Sequence, residues 1–219
     1  MKSEQIKKMV VLAVLAALAY VVMVFIRVPV ILFLKYEPKD VIITIAGFMY
    51  GPLASVLISL VVSSIEAVTV SDTGWIGAVM NFVSTCAFVL PATFIYKYKH
   101  NLAGAIIGLV TGVISMIVIM LLWNYILTPL YMANTTREQV AAMLPTVFLP
   151  FNALKGGINA ALTMLLYKPV ITALRATGLV PKPEEEHKGS VVTTILVIVF
   201  SLALLATLIL VILAMQGKI

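Results

Sequence analysis

Charge, cysteine and histidine are all scarce in this chain of 219 residues. Charged residues make up 11% of it, against roughly a quarter in soluble domains. Cys86 is its single cysteine, so no intrachain disulfide can form, and its place in an apolar run reads as a small core residue. The two histidines, His100 and His187, fall in connectors and read as solvated. There is no H-E-x-x-H, no cysteine/histidine cluster and no G-x-S-x-G nucleophile elbow. Neither an enzyme nor a cofactor is expected. No G-x-x-x-x-G-K-[ST] loop is present either, so any ATP-driven process needs partner subunits. The formal charge of +6 comes without a basic cluster interleaved with aromatics, which sets nucleic acid aside. It reads instead as a topology signal and as contact with anionic lipid.

Apolar residues are abundant, at 62% of the chain against about 45–50% in globular domains. This composition marks an integral membrane protein. At about 20 residues per crossing, the length allows six or seven spans and no separate soluble domain. Lys2, Lys7 and Lys8 before an apolar run, with Ala17-Leu18-Ala19 further on, imitate a signal peptide, but the run continues to Ile26 and favours a retained helix.

The pattern predicts a first helix over 6–27, a loop over 28–39 and a short helix from Asp40 to Tyr50. Gly51-Pro52 turns the chain into a third helix over 53–69. A linker at Ser71-Asp72-Thr73-Gly74 leads to helices over 75–96 and 102–127. A polar loop follows over 128–147, containing Asn134, Thr135, Thr136, Arg137 and Glu138, and is long enough to fold over a site. A sixth helix over 148–173 ends this unit. Gly104, Gly108 and Gly112 form a small-xxx-small series suited to close helix packing. The domain division is 1–178 for a six-helix bundle, 179–189 for a linker rich in proline and charge, and 190–219 for one more helix, whose apolar run is Val191 to Met215.

The sixth predicted helix carries the chemistry. In Leu149-Pro150-Phe151-Asn152-Ala153-Leu154-Lys155-Gly156-Gly157-Ile158-Asn159, helical spacing puts Asn152, Lys155 and Asn159 on one face. Amides and an ammonium facing hydrocarbon cost several kcal/mol (roughly 3 for a lysine at mid-membrane), so this face looks into protein, water or a polar solute. A single asparagine is equally well read as an interhelical hydrogen bond. Glu66, Asn81 and Asn124, however, fall near the same membrane level on other helices, with Asn159 about 10 Å deeper than Asn152. Donor/acceptor amides and a lysine suit a neutral, hydroxylated or heterocyclic solute better than an ion. Trp75, Phe82, Trp123, Tyr125, Phe148 and Phe151 are candidates for flat apolar walls, though Trp75 and Trp123 read first as membrane-interface residues. The bias of lysine and arginine puts the N-terminus in the cytoplasm, and the pocket then opens outward beneath the 28–39 and 128–147 loops.

The sequence resembles the substrate-binding S components of energy-coupling factor (ECF) vitamin transporters, of the riboflavin-specific type. The resemblance rests on Phe33-Leu34-Lys35-Tyr36-Glu37-Pro38-Lys39-Asp40, Gly47-Phe48-Met49-Tyr50-Gly51-Pro52, Met80-Asn81-Phe82 and the Leu149–Gly156 motif, and it covers residues 5–175. It implies an all-α polytopic bundle with a six-helix core, which binds riboflavin and works with a transmembrane coupling subunit and two cytoplasmic ATPases. It also implies that Asn124, Asn152 and Lys155 bond the ribityl hydroxyls or ring edge, that Glu66 and Asn81 line the pocket, and that the segment with Leu34, Lys35, Tyr36 and Asp40 closes it, while Asn159, by its depth on the helix, is read as the floor. Ala13 and Ala17, four apart on the first helix, look like the family's docking signature for the coupling subunit. By residues alone they are also ordinary small packing residues. The helix after residue 190 departs from the family's six. The rival readings are an S component for another vitamin, and a small proton-coupled carrier using Glu66 or Asp40.

Overall fold

A computed structural model describes residues 2–32, 34–70, 74–132, 135–176 and 191–218. Among the described residues there are eight α-helices and one hairpin: α1 (Lys2–Phe25), β1 (Val28–Ile31), β2 (Leu34–Tyr36), α2 (Lys39–Tyr50), α3 (Pro52–Thr69), α4 (Gly74–Tyr98), α5 (Leu102–Tyr131), α6 (Arg137–Met143), α7 (Leu149–Ala176) and α8 (Val191–Met215). A π-helical turn, Leu144–Phe148, joins α6 to α7. Six helical stretches are long and apolar enough to cross a membrane. The seventh element of the bundle, α2, has 12 residues and extends about 18 Å, well short of a bilayer core.

That short helix is the centre of the fold. It packs against α1, α3, α4 and α7, and the run from Lys39 to Phe48 is buried on nearly every side. A helix with no solvated stripe has to be enclosed in this way. Its end is set by Gly51, whose φ of 91° suits glycine, followed by Pro52 at the first position of α3. α4 and α5 approach closely through the predicted glycines: a Cβ on Gly108 would lie 2.7 Å from the Ala92 carbonyl oxygen. Around this frame the outward faces of the long helices carry exposed leucine, isoleucine and valine, such as Leu57, Val61, Ile114 and Val118, which is the surface that lipid covers.

Three expectations change. The 28–39 loop is an antiparallel hairpin with Val28 opposite Tyr36 and Pro29 opposite Lys35, favoured by β-branched Val28, Val30 and Ile31. Its tip places Leu32 at a φ of 51°. Second, the 128–147 loop is mostly helical. α5 continues to Tyr131, and Thr136 starts α6 through a capping box with Gln139. Third, α1 begins earlier and ends earlier than the 6–27 span, at Lys2 and Phe25. Phe33, Ser71-Asp72-Thr73, Asn134 and the 179–189 linker lie outside the described residues.

Candidate ligand-binding site

Beneath the hairpin is a cavity of about 270 Å³, lined by Arg27, Leu34, Lys35, Glu37, Glu66, Met80, Asn81, Ser84, Met120, Asn124, Phe151, Asn152 and Lys155. It lies at the end of the bundle where α1, α3, α5 and α8 finish. The Tyr20 hydroxyl there meets Thr69, Arg27 meets the Val70 carbonyl, and Gln216 meets the Pro29 carbonyl.

Two buried networks surround the cavity. In the first, Arg27 Nε donates to Glu37 Oε1 at 2.8 Å, and Glu37 Oε2 lies 3.2 Å from Lys39 Nζ. Lys39 in turn donates to Glu66 Oε2 at 2.5 Å, and Asn81 Nδ2 donates to Glu66 Oε1 at 2.5 Å. In the second, Asp40 accepts from the Thr85 hydroxyl at 2.6 Å and from Asn159 Nδ2 at 3.1 Å, and it lies 3.5 Å from Lys155 Nζ. Lys155 also donates to Ser84 Oγ at 3.1 Å. Asn159 accepts from the Tyr36 hydroxyl at 3.0 Å. Burial, with the Asp40 carboxylate adding to it, pushes the Tyr36 phenol well above the ordinary tyrosine range and keeps it a donor.

The three cations Arg27, Lys39 and Lys155 match the three anions Glu37, Asp40 and Glu66. Charges buried without partners are too costly to persist, so this pairing is a condition of the fold. It also leaves these six charges around the cavity formally neutral in sum. Such a balance favours a neutral polar guest over an ion. Asn152 spends one N–H on the Phe148 carbonyl at 2.7 Å, and no described residue takes its Oδ1. Asn124 donates to the Met120 carbonyl and accepts from Thr128. Leu34, Met80, Met120 and Phe151 supply the apolar part of the lining.

Of the ten side chains predicted for the pocket, Leu34, Lys35, Glu66, Asn81, Asn124, Asn152 and Lys155 line it. Tyr36, Asp40 and Asn159 form the hydrogen-bonded layer next to it. Among the aromatic candidates, Phe151 lines the cavity. Trp75 and Trp123 line a separate apolar groove on the outside of α4 and α5, Phe148 is buried beneath the hairpin, and Tyr125 faces the Arg137 guanidinium. Sequence reasoning missed Arg27, Glu37 and Lys39 as network members, along with Met80, Ser84 and Met120. The signal for the first three was opposite charge next to the predicted lid, but nothing local says which charge meets which. Ala13 and Ala17 are both exposed on α1, opposite the buried Val11, Leu15, Ala19 and Met23.

The family model for the ECF transporter, substrate-specific component, matches residues 7–167. The chain belongs to this family. As an S component it is a multi-pass membrane transport protein that associates with an ECF module, and it is not an enzyme. Among similar proteins, Riboflavin transporter RibU of Staphylococcus aureus (strain TCH60) is 28% identical over 181 residues, which cover 78% of this S component and 94% of that protein. Riboflavin transporter FmnP of Bacillus subtilis (strain 168) is 27% identical over 191 residues, covering 78% and 97% respectively. A solved structure of the S component of a bacterial ECF transporter superposes with a TM-score of 0.65 at 30% identity, covering 78% of this chain and 99% of that one.

Proposed function

We propose that this S component binds riboflavin in the cavity beneath the β1–β2 hairpin and captures it from outside the cell. The single observation that carries the reading is the cavity wall, which holds the amides Asn81, Asn124 and Asn152 and the ion-paired Lys155 beside apolar Leu34, Met80, Met120 and Phe151. A flavin has the matching character: apolar ring faces, a pyrimidine edge that pairs with amides, and a hydroxylated chain for Lys155 and its neighbours. The names of the similar transporters from Staphylococcus aureus and Bacillus subtilis support the same ligand. Hydrogen bonds at ~1 kcal/mol each and ring burial at ~25 cal/mol per Å² are enough for tight binding after the cost of ordering.

In this reading Asn124, Asn152 and Lys155 bond the ligand, Glu66 and Asn81 line the pocket, and Asn159 with Tyr36 and Asp40 holds the layer next to it. Leu34 and Lys35 close it. The N-terminus is cytoplasmic. In support, Lys7, Lys8, Lys97 and Lys99 lie toward the end opposite the hairpin, where positive charge accumulates on the inner side. Delivery uses a transmembrane coupling subunit and two cytoplasmic ATPases, with the exposed Ala13 and Ala17 letting a partner helix approach α1.

Detergent-purified protein is expected to be yellow or to quench riboflavin fluorescence on titration, and the double variant Asn152→Ala/Lys155→Ala is expected to do neither. A colourless wild-type protein that leaves riboflavin fluorescence unchanged overturns the assignment. Uptake by the chain alone in vesicles without any ATPase overturns its dependence on partners.

A further inference from the structure

Helix α8 lies past residue 167, where the family match ends, and the similar proteins are covered almost end to end by 78% of this chain. It is therefore an addition to the bundle that they share. α8 packs along α7 and also reaches β1. Most of it is exposed, but Ile212 is 8% exposed and belongs to the apolar cluster that includes Val30, Leu34 and Tyr36 of the hairpin. One turn further on, Gln216 Nε2 donates to the Pro29 carbonyl at 2.5 Å. Among the described residues β1 pairs only with β2, and a two-stranded hairpin this short has marginal stability by itself. Its closed position has to come from what touches it. Arg27–Glu37 closes its base, Arg27–Val70 and Tyr36–Asn159 tie it toward the bundle, and the last turns of α8 hold it on the β1 side.

We propose that the end of α8 holds the hairpin closed over the cavity, with Gln216 and Ile212 as positioning residues, so that the appended helix slows opening of the site. Slower ligand release as the consequence rests on the proposed function; the positioning of the hairpin by α8 does not.

Hydrogen–deuterium exchange of the full chain in nanodiscs without ligand tests it. Gln216→Met keeps the side-chain length and removes the donor, and Ile212→Ala removes apolar contact. Each is expected to speed exchange across residues 28–36 by about fivefold, the scale of one net hydrogen bond, while α8 amides before residue 210 stay at wild-type protection. Gln216→Lys retains a donor of similar reach and is expected to restore slow exchange, which general loss of packing does not allow. Riboflavin dissociation, followed by fluorescence, is expected to accelerate in parallel in the two weakened variants. Unchanged hairpin exchange in Gln216→Met and Ile212→Ala overturns the proposal, as does Gln216→Lys exchanging as fast as Gln216→Met. Should Ile212→Ala unseat α8, the Gln216 pair decides alone. A wild-type chain that does not bind riboflavin overturns the proposed function, while the ligand-free exchange comparison still decides the role of α8.

Discussion

Replacing Lys155 by methionine probes the charge balance of the site. Lys155 Nζ lies 3.5 Å from Asp40 Oδ2, with side chains 7% and 0% exposed. Methionine fills similar volume, so packing changes little. Asp40 keeps Thr85 and Asn159 as hydrogen-bond donors but loses its cation. Leaving one member of a buried pair uncompensated costs about 3–5 kcal/mol. The long separation puts Lys155→Met near the low end, about 3 kcal/mol, a large share of the ~5–15 kcal/mol that holds a typical domain folded. Asp40→Asn in the same chain removes the stranded charge and is expected to recover about 2 kcal/mol, a coupling within the range for contacting residues. Thermal unfolding in detergent of the wild type, both single variants and the double variant gives the cycle. Riboflavin titration separates stability from binding. Both chains lacking Lys155 should bind at least about tenfold more weakly, because a charge-assisted hydrogen bond is gone and Asp40→Asn does not replace it. A double variant as unstable as Lys155→Met, or a Lys155→Met protein as stable as wild type, refutes the reasoning.

Three other outcomes follow from the same geometry. Gly108→Ala puts a Cβ against the Ala92 carbonyl oxygen and is expected to lower stability by about 1–3 kcal/mol, measured by thermal unfolding. Because the Tyr36 phenol is pushed up in the fold, the folded state holds that proton more tightly than the unfolded chain. Its contribution is present below the ordinary tyrosine value of ~10 and is lost as pH rises above it, so Tyr36→Phe should flatten the alkaline fall in unfolding temperature. Ala13→Trp/Ala17→Trp changes an exposed face of α1 and should leave riboflavin binding intact while abolishing co-purification with the ECF module.

The helices were legible because apolar run length and turn residues are local. α2 was placed within one residue by Asp40, Tyr50 and the Gly51-Pro52 pair. The amides and lysine were legible too, since polar groups at membrane depth stand out against 62% apolar composition. The hairpin and α6 were missed although their signals were present. Val28, Val30 and Ile31 favour a strand, and Thr136 with Gln139 makes a capping box, but polarity and proline suggested loops.

By itself, then, the sequence determined a membrane bundle without catalytic or nucleotide motifs, the helix position of each of its polar groups, and its resemblance to a transporter family. The tertiary structure decided which charge answers which. Lys155 of α7 meets Asp40 of α2, and Lys39 of α2 meets Glu66 of α3. Helical periodicity assigns a residue to a face of its own helix. Neutralising a buried charge depends on which other helix that face meets, and only the packing of α2 among α1, α3, α4 and α7 fixes that.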